Sequence, residues 1–181
     1  MELKHTEIPA EFITHLPEGM KLVNRHGRRF LVVEEALGPN GENLMSEAVR
    51  IHGEPSVQLE IKVGDRRGMI FVDAYWGSHA KLYSFQLPDL DPAPIVEAFV
   101  PHSDVSLMGD YHCDIEGCTS DRGIVLRLPG GRNTTTVCAR LGCPGHRMDI
   151  AALPKPVVQQ VSTLNFFGTS SVEDDWFDSA F

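Results

Sequence analysis

A mainly β fold, α+β at most, is what this sequence predicts: an antiparallel meander or barrel-like body with a cysteine-rich β-hairpin module inserted or appended. Three observations predict it. Val57, Leu59, Ile61 and Val63 alternate with Gln58, Glu60 and Lys62, the period-2 pattern of a half-buried strand. Two further strand-like runs follow it at turn spacing. All four cysteines fall in two matching C-x-x-x-G-C loops on either side of a hairpin signal.

Taken in order, residues 9–16 suit a short helix, with Thr6 nearby as a cap and Pro9 in the first turn. Residues 21–24 and 29–33 flank a polar turn at 25–28 and predict a hairpin. After the 57–63 strand, residues 64–68 turn the chain. Residues 69–76 are apolar on both faces, as in a central strand, and 81–87 alternate again beyond a turn at 77–80. The three together predict a meander. Residues 88–94 carry three prolines and break regular structure as a linker or surface loop. Residues 123–128 and 133–138 read as strands joined by Pro129, Gly130, Gly131 and Arg132. Residues 157–167 place Val157, Val161 and Leu164 at helical spacing, with Gly168 positioned to end the helix. The β-branched residues there also allow a strand. The organisation expected is a β-rich body over 1–100, a Cys-rich zinc-binding hairpin module over 101–150, a returning helix or strand over 151–168 and an acidic aromatic tail over 169–181.

Composition limits the function classes. The chain has 181 residues, is 42% hydrophobic and carries a formal net charge of −9, which suits a folded, acidic protein rather than a disordered one. No apolar run approaches the roughly 20 residues of a membrane-spanning helix. The first residues lack the basic end and apolar core of a signal peptide, so the cytoplasm is the expected location. The charge is unevenly spread. Residues 82–121 hold eight acids and no Lys or Arg, whereas 122–155 hold six bases against Asp149 alone.

Cys113 and Cys118, and Cys138 and Cys143, bracket the second hairpin, so both pairs arrive at one end of it. Tetrahedral zinc needs four thiolate or imidazole ligands, and short loops carrying two each can converge on it. Gly117 and Gly142, directly before each second cysteine, free the backbone to turn both sulfurs one way. The arrangement resembles the zinc-ribbon plan over residues 113–143, although four residues rather than two separate each cysteine pair. A structural zinc is therefore the expected cofactor. His112 and His146 are alternate ligands, and two disulfides or buried free thiols are the competing reading. Signatures of nucleotide-binding loops, the hydrolase nucleophile elbow and zinc hydrolases or deaminases are absent.

Two surface features suggest partners. Basic residues mark the hairpin tips: Arg25, Arg28 and Arg29; Arg66 and Arg67; Arg132 with Arg127 and Arg140. If these tips share an edge, they offer phosphate contacts to single-stranded nucleic acid, with Tyr75, Trp76, Tyr83 and Phe85 as stacking candidates. Strand aromatics also serve as core. The tail combines four acids with Trp176, Phe177 and Phe181, the composition of a linear motif whose rings enter a protein partner's pocket. It resembles the acidic, Phe-ending tails of bacterial and phage single-stranded-DNA-binding proteins, which implies recruitment of a replication partner. The sequence thus predicts a non-enzymatic, zinc-stabilised binding protein, most readily a nucleic-acid-associated accessory protein. A protein–protein adaptor and a zinc enzyme with an open Cys/His site are the alternatives.

Overall fold

The computed structural model describes residues 7–164. Among them are α1 (Ala10–Thr14) and a first hairpin, β1 (Met20–Arg25) with β2 (Arg28–Val33). Next come β3 (Met45–Ile51), β4 (Glu54–Val63), β5 (Arg66–Val72) and β6 (Lys81–Tyr83). The chain continues through β7 (Glu97–Phe99), β8 (Met108–Asp110), β9 (Arg122–Arg127), β10 (Thr134–Cys138), β11 (His146–Asp149) and α2 (Lys155–Ser162). Every strand pairing is antiparallel. The strands form three open sheets, β1-β2, β3-β4-β5-β6 with β7 on β4, and β11-β10-β9-β8, rather than a closed barrel.

β4 is the hub. One edge pairs with β5 from Val57↔Val72 to Val63↔Arg66. Its other edge is divided, taking β3 along the first half and β7 along the second. Val57, Leu59, Ile61 and Val63 are buried, as their alternation predicts. The β1-β2 and β3-β4 hairpins both turn through His-Gly, at His26-Gly27 and His52-Gly53, with positive φ at each residue. Positive φ at both central residues is the type I′ geometry that matches strand twist.

The central run expected over 69–76 divides in two. β5 stops at Val72, and Ala74–Trp76 crosses to β2, where the Val33 N–H donates to the Ala74 carbonyl and the Trp76 N–H to the Leu31 carbonyl, both at 2.8 Å. The cause is Asp73, which is buried. Its carboxylate accepts the Tyr75 N–H at 3.1 Å and the Ser78 hydroxyl at 2.6 Å, and pairs with His52 Nδ1 at 2.6 Å. Such side-chain acceptors outcompete a sheet ladder locally. The third meander strand is likewise shorter than expected. At Ser84 the hydroxyl, not a strand carbonyl, takes the Met69 N–H at 2.8 Å.

α1 begins at Pro9 without a side-chain cap and buries Phe12 completely; Thr6 lies outside the described residues. The final segment is helical over residues 155–162; Val161 and Leu164 are buried as expected, but Val157 is only half-buried and Val158 and Ser162 complete the buried face, while Gly168 lies outside the described residues. The Trp76 indole N–H donates to the Val161 carbonyl at 2.9 Å, and the Ser162 hydroxyl accepts the Met148 N–H at 2.8 Å. α2 therefore closes the free edge of β11 and is tied to the body. One hydrophobic core includes Leu59 and Ile61 of β4, Ile124 and Leu126 of β9, Phe12 and Val161. Among the described residues, no helix is long and apolar enough to cross a membrane.

A candidate metal centre of four cysteines

The loops carrying the cysteines connect the four strands of the third sheet. One links β8 to β9 and holds Cys113 and Cys118; the other links β10, whose last residue is Cys138, to β11 and holds Cys143. Their backbones follow one plan. Each second cysteine donates its N–H at 3.0 Å to the carbonyl three residues earlier, Ile115 in one loop and Arg140 in the other. Gly117 and Gly142 occupy the third position of these turns at φ +82° and +80°, a conformation that requires φ above zero and favours glycine. Each first cysteine donates its N–H to the carbonyl seven residues later, Cys113 to Ser120 at 3.1 Å and Cys138 to Gly145 at 2.8 Å. Two copies of one loop thus face each other across the β9-β10 end.

The sulfurs converge. No two of the four Sγ atoms lie more than 4.8 Å apart. Across the loops, Cys113 meets Cys143 and Cys118 meets Cys138, both at 3.7 Å. None of the four is in a disulfide. A tetrahedral zinc with bonds of about 2.3 Å separates its sulfurs by about 3.8 Å, so the two close pairs have the spacing of co-ligands. The four cysteines alone make up the cluster; His112 is exposed, and His146 donates from Nδ1 to the Pro144 carbonyl at 2.9 Å.

Local electrostatics differ from sulfur to sulfur. Burial pushes the Cys113 thiol up, opposed by the Ile115 N–H. Burial also pushes Cys143 up strongly, opposed by the Gly145 N–H. At Cys118 the Ser120 N–H dominates and brings the thiol down to about 7, with burial opposing. Backbone amides thus aim at the sulfurs and favour thiolates, the charge state a metal ligand needs. Lys81 of β6 is the nearby counter-charge: burial lowers its pKa, and Cys143 and Cys138 hold it up.

Three contributors escaped the sequence reading. The Tyr111 ring packs on Cys113 and Cys138 as one buried cluster, with the Arg147 guanidinium 5.4 Å from the ring centre. At Gly145 an added Cβ would sit 2.8 Å from Cys113 Sγ and 3.1 Å from the Tyr111 hydroxyl. Lys81 arrives from a different sheet. None of these has a local sequence signal, since each depends on a partner distant in the chain. The Asp73 network also joins a Ser, a His and an Asp, but there the aspartate bridges the other two. A nucleophile triad needs the imidazole in the middle.

The tip arginines do not gather on one edge. Arg25 donates to the His52 carbonyl at 3.0 Å, beside the start of β4, whereas Arg66 and Arg67 follow its far end. The ten residues of β4 span about 30 Å. The turn before Arg132 packs instead on Gly19, at the base of the first hairpin, opposite the end where Arg25, Arg28 and Arg29 lie. Arg66 donates to the Gln86 carbonyl at 2.8 Å. Arg67 pairs with Glu60, with Asp104 at 3.0 Å and with the Ser103 carbonyl at 2.6 Å, while covering Phe99. Arg140 donates to the Ala93 carbonyl at 2.6 Å. Arg127 and Arg132 are exposed. Tyr75 and Trp76 are buried and Tyr83 and Phe85 half-buried, all in the core. Trp176, Phe177 and Phe181 lie outside the described residues. No family model, curated protein or solved structure matches the chain.

Proposed function

We propose that this is a non-enzymatic binding protein whose cysteine module is stapled by zinc. The observation that supports it is the convergence of four sulfurs, within 4.8 Å of one another, from two equivalent loops. Cys113, Cys118, Cys138 and Cys143 would hold the ion, which would supply folding free energy. Four thiolates complete a tetrahedron, so this donor set suits a structural role rather than an open catalytic position. Metal analysis of the purified chain tests the reading: it expects one zinc per chain, and a metal-free folded chain contradicts it.

Within that reading, the binding surface is the groove between the module and α2, lined by Arg132, Arg147 and Lys155 beside Tyr111 and His112, with Asp114 and Asp149 also in its wall and Asp149 paired to Arg147 at 3.0 Å. All three belong to residues 122–155, which hold six bases against Asp149 alone, and the ligand they suit is single-stranded nucleic acid. The tail, residues 169–181, would recruit a protein partner. Binding of a labelled single-stranded oligonucleotide should weaken steeply with added salt and fall on Arg132→Glu with Lys155→Glu. Salt-independent or absent binding favours the adaptor alternative instead.

A further inference from the structure

A cavity of about 120 Å³ lies between the second and third sheets. Leu59, Ile70 and Val72 line it from one side and Ile124, Leu126 and Val137 from the other. Its polar groups come from the loop following β5, from Lys81 and Tyr83 of β6, from Thr135 of β10 and from the second cysteine loop, which ends at His146. Both sheets contribute mainly aliphatic side chains, which favour a largely apolar occupant over a strongly hydrated one. The volume is that of one ring: an engineered apolar cavity of about 150 Å³ takes benzene.

His146 adds a directional group. Its Nδ1 hydrogen is committed to the Pro144 carbonyl at 2.9 Å, which leaves Nε2 of the neutral ring as an acceptor. That Nε2 is buried and has no hydrogen-bond partner. The ring stands edge-on to Trp76, 5.0 Å between centres, and both residues line the cavity. An unpaired buried acceptor beside an apolar void is the complement of a small apolar molecule with one donor.

We propose that the cavity binds a neutral single-ring molecule carrying one hydroxyl or N–H donor, of the phenol class, with that donor on His146 Nε2. The second cysteine loop supplies part of the wall, so the site rests on the metal reading for its rigidity. The test uses the full-length, metal-analysed chain, titrated with phenol and with benzene while the Trp76 indole and His146 ring signals are followed by NMR. Phenol should shift both signals and bind about tenfold more tightly than benzene, the worth of one hydrogen bond. His146→Phe keeps an aromatic ring against Trp76 but removes the acceptor; it should erase the preference while leaving benzene binding in place. Ala139→Leu, placing a larger side chain in the wall, should abolish binding of both. Should that variant fail to fold, the phenol-to-benzene ratio in wild type and His146→Phe still decides. Equal affinities in wild type, or an unchanged ratio in His146→Phe, overturns the proposal. A metal-loaded chain whose signals stay still at millimolar phenol overturns the cavity proposal alone. A metal-free chain that binds phenol selectively supports the cavity and contradicts the metal reading.

Discussion

At the residue scale, Gly145 gives the sharpest test of the metal site because it is not a ligand. A methyl group there would press on Cys113 Sγ at 2.8 Å and on the Tyr111 hydroxyl at 3.1 Å. Gly145→Ala should weaken zinc binding by about 10–100-fold, the range for groups that orient ligands, as measured by competition with a chelating dye. Cys118→Ser should do more, since it removes a ligand outright. Acidity follows from the thiols. Burial holds Cys113 and Cys143 protonated around neutrality, and Cys118 ionises at about 7, so a bound metal displaces one more proton below about 7 than above it. Zinc affinity should therefore fall on acidification and fall more steeply below neutrality; a pH-independent affinity contradicts thiolate ligation. The four-cysteine cluster was legible because each loop carries the same local pattern, a glycine directly before its second cysteine. Gly145 was not, because its constraint comes from Cys113, more than thirty residues upstream.

At the scale of elements, α2 depends on a few polar contacts as well as on its apolar face. Ser162→Ala would leave the buried Met148 N–H without its acceptor and should cost about 1–3 kcal/mol of stability, read from denaturant unfolding. Arg67→Ala should lower the melting temperature, because Arg67 joins the β4-β5 hairpin to the turn between β7 and β8 through Glu60, Asp104 and the Ser103 carbonyl. A role in phosphate contact alone predicts no such loss. β4, the β1-β2 and β4-β5 hairpins and the β9-β10 pair were legible from alternation and turn residues. β7 and β8, three residues each, are too short to show a period. β3 is interrupted by a bulge between Ser46 and Arg50, which breaks its alternation. The early end of β5 was hidden because Asp73 acts through contacts to Ser78 and His52 rather than through the apolar pattern around it.

At the scale of the whole molecule, charge along the chain and charge in space part company. The sequence places arginine at three hairpin tips, but the fold puts those tips at separate ends and turns Arg66, Arg67 and Arg140 onto carbonyls and carboxylates. The groove at Arg132, Arg147 and Lys155 could not be read from the sequence, because α2 and β11 meet only in three dimensions. For the same reason the body and the cysteine module looked like separate zones, whereas β4, β9 and α2 share one core. Deleting residues 169–181 should leave zinc content and the melting temperature unchanged if the tail serves a partner; a lower melting temperature would show that it stabilises the body instead. In the proposed function, four convergent thiolates hold one ion that the fold needs. Native mass spectrometry of the full chain, followed by thermal unfolding with and without a strong chelator, tests it most directly. One zinc per chain is expected, lost together with cooperative folding when the chelator is added. A metal-free chain, or one lighter by four hydrogens through two disulfides, with the same melting curve in chelator, would contradict it.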